Sequence, residues 1–268
     1  MKKLLLPTDF STCAGYATDA AIALAQKTGA TLCLYHTLSP DVDPAKLQET
    51  QTNAQKSLDA IKNAHPGLNI TTLTAVGALT ANLSNYTNSH KVDLIIMGSQ
   101  GASGGAFSYL GSNTQKVVRQ VHCPVLVIKK PLSKVDFTKV AFASTFNRDD
   151  IPAFERFKDI VKHFIPEIHL IAIQTSGFFE APAIVTLEAM EDFKKLAKPF
   201  NCEVHLKREG TVDHGIRQFA EDQGIQLIGI SNVHRHPLKR IFYGSTVEAL
   251  VNASDLPVLS IDYAKEGE

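Results

Sequence analysis

Gly98, Gly101, Gly111 and Ser112 stand in the run GSQGASGGAFSYLGSN, between an apolar segment ending at Met97 and a helical pattern opening at Ser112. The chemistry open to such a run is anion binding. A glycine-rich loop leading into a helix N-terminus offers unpaired backbone N–H groups and the positive end of a dipole, and phosphate is the natural guest. Glycine at 98 and 101 would permit positive φ and let the backbone approach oxygen atoms that a Cβ would obstruct. Ser112 and Asn113 add polar side chains at the helix start. The spacing is G-x-x-G, nine residues, then G-S, without the Gly-Lys-Ser/Thr of a Walker loop and without the dinucleotide G-x-G-x-x-G. A βα connection that merely turns the chain is the competing reading of the same residues.

Thr8 and Asp9 close the apolar run LLLP near the amino terminus. Asp9 serves either as a carboxylate at a strand end or as a cap for a helix beginning near Ser11, and Ser112 could likewise be an N-cap alone. Phe107 and Tyr109, inside the glycine run, either pack on a sheet edge or touch a base. Elsewhere, His234 and His236 lie beside Arg235, Lys239 and Arg240 in NVHRHPLKR. That reads as a solvated loop, and a metal reading would need the fold to bring up Asp213 and His214. With ten histidines in the chain, Ser-His-Asp sets arise by chance and name no triad. The glycine run has neither a lysine nor an evident residue to orient an attacking water, so fast phosphoryl transfer is not expected.

The elements that must position these residues alternate along the chain. Five apolar runs rich in β-formers, 3–8, 31–37, 69–76, 92–98 and 124–130, are separated by helical patterns, which predicts parallel βα units. Ala17, Ala20, Ala21 and Leu24 form an apolar stripe at helical spacing, with Gly29 as its C-cap. Further helices are expected over 43–64, 79–89 and 112–121. The second half repeats the scheme with strands at 139–145, 167–174, 202–209, 225–231 and 257–263.

The repetition extends to identities. Gly77, Gly111, Ser112, Pro124, Val125 and Leu126 fall on Gly210, Gly244, Ser245, Pro257, Val258 and Leu259 at one offset of 133 residues, which implies duplication. Two domains, 1–132 and 138–268, are expected around the polar, proline-bearing segment 130–139. The copies differ where the chemistry would be: Ser231 and His234 replace Gly98 and Gly101, and Thr145 stands where Asp9 stood. The second half is therefore expected not to hold an anion as the first would.

Composition excludes several classes. Lys+Arg and Asp+Glu both number 27, so no charge imbalance draws the chain to nucleic acid or an anionic bilayer. The opening MKKLLLPTDFST is too short in apolar residues for a signal peptide, and no apolar run approaches a membrane span, so a cytoplasmic location without a membrane partner is expected. Cys13, Cys33, Cys123 and Cys202 lie far apart without a C-x-x-C pair and read as reduced core thiols.

The run GSQGASGGAFSYLGS, following DLIIM and preceding CPVLVIK, resembles the ATP-binding signature of the universal stress protein family, G-x-x-G-x9-G-(S/T). LLPTDFS is similar to that family's opening strand, which supplies an aspartate to the nucleotide pocket. The resemblance spans nearly the whole chain as a tandem pair. It implies two Rossmann-like or flavodoxin-like α/β domains, each a five-stranded, mainly parallel sheet with about four helices. It also implies an adenine nucleotide site in the first domain: Gly98, Gly101, Gly111, Ser112 and Asn113 about the phosphates, Thr8 and Asp9 against the nucleoside or a bound Mg²⁺, and the backbone of Thr37 at adenine. The expected protein is an ATP-binding stress or regulatory factor with slow or no hydrolysis. It would be an intrachain pseudo-dimer through the last strand of each half, with a homodimer of whole chains also open. An ATP-using hydrolase or adenylyl transferase of related fold, and a ligand-free interaction scaffold, are the alternatives.

Overall fold

The computed structural model describes residues 1–99, 112–175, 181–232 and 240–262, the side chains of Ser112 and of 240–246 excepted. These residues divide into two compact units, one running to Val135 and the other starting at Asp136.

The first unit runs β1 (Lys3–Pro7), α1 (Thr12–Thr28), β2 (Thr31–Leu38), α2 (Pro44–Asn63), β3 (Ile70–Val76), α3 (Leu79–His90), β4 (Leu94–Gly98), α4 (Ser112–Gln120) and β5 (Val125–Ile128). Its strands are parallel in the order β3-β2-β1-β4-β5. The second unit runs β6 (Lys139–Ala143), a 3₁₀ turn at Arg148–Asp150, α5 (Ile151–Val161), a second 3₁₀ turn at Lys162–Phe164, β7 (Glu167–Gln174), α6 (Ala183–Leu196), β8 (Cys202–Arg208), α7 (Val212–Gln223), β9 (Leu227–Ser231), α8 (Arg240–Ala253) and β10 (Val258–Ile261). Its strand order, β10-β9-β6-β7-β8, repeats the first. Each unit is thus a Rossmann-like α/β sheet, as the alternating pattern predicts.

The central strands are unbroken apolar runs because helices cover both faces of a parallel sheet. Leu4, Leu5, Leu6, Leu94, Ile95 and Ile96 are all buried. Along α1 the predicted stripe of Ala17, Ala20, Ala21 and Leu24 is buried, and its small side chains let the helix backbone come close to the sheet. Ser11 caps α1 by accepting from Ala14 N at 3.3 Å, and Gly29 closes it at φ 69°, in the left-handed region glycine tolerates. The strand predicted over 139–145 ends at Ala143, because the Ser144 hydroxyl accepts a hydrogen bond from Phe146 N at 2.9 Å and turns the chain.

None of the four cysteines forms a disulfide; Cys33 and Cys123 are buried, whereas Cys13 and Cys202 are partly exposed. No helix among the described residues is long and apolar enough to cross a membrane.

Candidate functional site

In the first unit β1 lies between β2 and β4, so strand order reverses there and a crevice opens beyond the carboxyl ends of β1 and β4. Thr8 and Asp9 border it from one side, Gly98 and Ser99 from the other. Thr8 is anchored by its N–H, which donates to Tyr35 O at 2.9 Å, and its hydroxyl accepts from Phe10 N at 3.1 Å. That turn holds Phe10 at φ 61°, a left-handed conformation uncommon outside glycine. Asp9 is exposed, with Oδ1 accepting from Ser11 N at 3.0 Å and Oδ2 making no hydrogen bond among the described residues. The cap of α1 is Ser11, so Asp9 is not spent on that role. Phe10, 40% exposed, stacks on His36 at 4.9 Å, and His36 Nδ1–H donates to Thr8 O at 2.8 Å.

Gly98 does not have the positive φ expected of it; among the described glycines only 29, 77 and 224 do. Its small size is required for a different reason. A Cβ there would lie 2.2 Å from Cys13 O and 2.7 Å from Ala14 N, so only glycine lets the first turn of α1 seat against the end of β4. The α4 end of the loop is tied to the same residue, Thr114 Oγ1 donating to Gly98 O at 3.1 Å. Ser112 opens α4 and Asn113 is exposed in its first turn. Gly101 and Gly111, with Phe107 and Tyr109, lie outside the described residues, as do His234 and His236.

Two hydroxyls at this edge, Thr37 Oγ1 and Ser99 Oγ, are buried without a hydrogen-bond partner among the described residues. A buried unpaired hydroxyl costs about 1–3 kcal/mol, so a pair beside one crevice calls for an explanation. The last paired position of β1 is Pro7 opposite Tyr35, whereas β2 continues to Leu38. Backbone polar groups alternate sides along a strand, and Tyr35 O points to β1. The N–H and C=O of Thr37 therefore face the same side, beyond the end of β1, where no strand covers them. Sequence reasoning placed Thr37 here by resemblance; Ser99 and the Phe10–His36 stack it missed, because an isolated serine or phenylalanine after a strand has no pattern.

The matching place in the second unit is filled. Phe146 adopts φ 54° on the same hydroxyl-held turn as Phe10, yet it is 2% exposed and packs edge-on against Phe193 at 5.1 Å. Ile173 takes the position of Thr37 in the strand register, and Asn232 that of Ser99. Where Ala14 N faces Gly98, the second unit has Asp150 facing Ser231. The buried Asp150 carboxylate accepts from Ser231 Oγ at 3.0 Å through Oδ1, and through Oδ2 from Ser144 Oγ at 2.8 Å, Asn147 N at 3.2 Å and Thr145 Oγ1 at 3.5 Å. A fixed protein carboxylate, its acceptors already used, thus stands at the second switch point.

Comparison with known proteins agrees with the architecture. The model of the universal stress protein family matches residues 1–129 and 170–261. A universal stress protein of Methanocaldococcus jannaschii is 31% identical over 141 residues, 48% of this chain and 83% of that protein. One from Bacillus subtilis is 28% identical over 145 residues, 47% of this chain and 98% of that protein. A crystal structure of a universal stress protein from Archaeoglobus fulgidus superposes with a TM-score of 0.78 at 21% identity, covering 98% of each chain, and so shares the fold. With matched segments in both halves, this chain belongs to the universal stress protein family, as a tandem of two Rossmann-like units.

Proposed function

We propose that the first unit binds an adenine nucleotide, ATP with Mg²⁺, at the β1/β4 crevice, and that the protein acts as a nucleotide-responsive stress or regulatory factor. The observation that supports this most is the pair of buried, unpartnered hydroxyls, Thr37 Oγ1 and Ser99 Oγ, at the edge of a crevice bordered by an exposed carboxylate. Thr37 would meet adenine with its uncovered backbone groups. Asp9, with one oxygen uncommitted, would meet the ribose or a hydrated Mg²⁺, which favours carboxylate oxygen and keeps most of its waters. The N-terminus of α4, with Ser112 and Asn113, and Gly101 and Gly111 before it, would hold the phosphates. The second unit, with Asp150 and Phe146 in place, would bind no nucleotide in this manner, because an anion would meet a fixed carboxylate.

Calorimetric titration of the full chain with ATP and Mg²⁺ tests the reading. One nucleotide per chain is expected, with Gly101→Val abolishing binding and Asp9→Ala weakening it, while Thr145→Ala changes nothing. Two equivalent sites per chain, or a Gly101→Val chain that binds as tightly as wild type, would overturn it.

A further inference from the structure

The strands β7 and β8 each carry the pattern Glu-x-His, Glu167-Ile168-His169 and Glu203-Val204-His205. Residues two apart on a strand share a face. The register sets His169 opposite Glu203, one pleat from His205, so all four side chains project from one face of the sheet. His169 Nδ1 lies 2.9 Å from His205 Nε2; Glu203 Oε2 lies 3.5 Å from His205 Nε2 and 3.9 Å from His169 Nδ1. A tetrahedral ion with bonds of about 2.0–2.1 Å holds neighbouring ligand atoms roughly 3.3 Å apart, and the three separations bracket that edge.

We propose that His169, His205 and Glu203 form a zinc site on the β7–β8 face, with a fourth position open to water or an external ligand. Two imidazoles and one carboxylate are a donor set that suits zinc and not Mg²⁺ or Ca²⁺, which prefer oxygen. A second feature points the same way. His169 Nε2 is buried without a hydrogen bond of good geometry, and its nearest carboxylate is Glu167 Oε1 at 3.4 Å. A carboxylate behind the distal nitrogen is how ligating histidines are oriented and their basicity raised, and ligation through Nδ1 would place the ring proton on Nε2, toward Glu167.

Phe219 of α7 covers both rings, at 6.0 Å from His169 and 4.7 Å from His205, and fixes their planes. Burial keeps both imidazoles neutral to lower pH than usual, the form a metal needs. Lys139 and Lys207 oppose a cation here. Lys207 is itself drawn to Asp222 at 3.3 Å, and Glu167 and Glu203 supply the compensating negative charge. Access is from the solvent side, since the Glu203 side chain is 58% exposed.

In the absence of nucleotide, full-length chain freed of metal by a chelator and dialysed is titrated with zinc chloride against a chromophoric competitor. One zinc per chain is expected. His205→Ala should lose more than about 100-fold in affinity, beyond what loss of an outer carboxylate does, and Glu167→Gln between about 10- and 100-fold. Glu203→Gln, at an exposed side chain, keeps the test valid if His205→Ala perturbs folding, which circular dichroism would report. Cobalt(II) bound to wild type should show the intense visible bands of a tetrahedral site, lost in both ligand variants. A wild-type chain that holds no stoichiometric zinc overturns the proposal. So does zinc bound equally well by His205→Ala and Glu203→Gln but lost in a His234→Ala, His236→Ala double variant, because the ion would then sit elsewhere.

Discussion

Asp150 offers the sharpest test of how the second unit closed its crevice. Its carboxylate is buried and takes hydrogen bonds from Ser144, Asn147 and Ser231, with Thr145 at the distance limit. Replacing it with alanine leaves two hydroxyls and a backbone N–H without their acceptor. Each bond to a charged group is worth about 1.5–3 kcal/mol net, but the buried carboxylate also carries a desolvation cost, so the bonds do not simply sum. Each donor left unsatisfied costs about 1–3 kcal/mol, and relief of the carboxylate's desolvation offsets part of the total, so about 3–5 kcal/mol is the expectation for Asp150→Ala. Ser231→Ala removes one donor and leaves the carboxylate with the others, for about 1.5–3 kcal/mol. The double variant should fall short of the sum by about 1–2 kcal/mol, the coupling of the shared bond.

The two units need not unfold together, so a global melting curve would not assign the loss. Native-state hydrogen exchange read on peptides from β6, α5 and β9 would, because a 3 kcal/mol loss speeds exchange roughly 150-fold there and leaves β1 and β4 untouched. If Asp150→Ala exchanges within about 0.5 kcal/mol of wild type, or the two substitutions add without coupling, Asp150 does not organise this edge.

Thr37→Val should act with opposite signs on stability and binding: removing a buried unpaired hydroxyl in a strand should stabilise the free protein by roughly 0.5–1.5 kcal/mol, while ATP affinity falls several-fold if that hydroxyl meets the ligand. Exchange on β2 peptides and calorimetry would check the two signs, and a destabilised Thr37→Val chain would show that the hydroxyl already has a partner. Acid should weaken the second unit. Burial holds His169 and His205 below their ordinary value of 6.5, helped at His205 by His169 and Lys207 and at both by Lys139, and opposed by Glu203 and, at His169, Glu167. The unfolded chain therefore takes up protons first, so their contribution is whole above about pH 6.5 and declines as pH falls through the lowered folded values. His163 adds to the same slope, so the readout is the difference from His205→Gln, whose exchange protection in metal-free buffer should fall less between about pH 7.5 and 5.5. An unchanged slope in that variant would contradict the assignment.

The sequence by itself determined the order and type of the elements. An unbroken apolar run such as LLL at 4–6 or LII at 94–96 is short-range information, and so are the alanine stripe of α1 and the Gly29 cap. The constant offset between the halves also showed that Gly98 had become Ser231, and AFASTF set against LLPTDF showed that the carboxylate of Asp9 had gone.

Only the tertiary structure decided what those changes mean. Gly98 looked like a phosphate-binding glycine, and the close approach of Cys13 and Ala14 shows a packing reason that depends on how α1 crosses the sheet. Asp150 gave no signal, because its partner Ser231 is 81 positions away and meets it only after β6 and β9 pair. The repeated Glu-x-His was visible in the chain, but its 36-residue separation had no meaning until the parallel register of β7 and β8 set His169 beside Glu203. Propensity and periodicity act over a few residues. In a parallel sheet every neighbouring strand arrives through a crossover, so which side chains share a site is fixed by register and strand order, which no local pattern encodes.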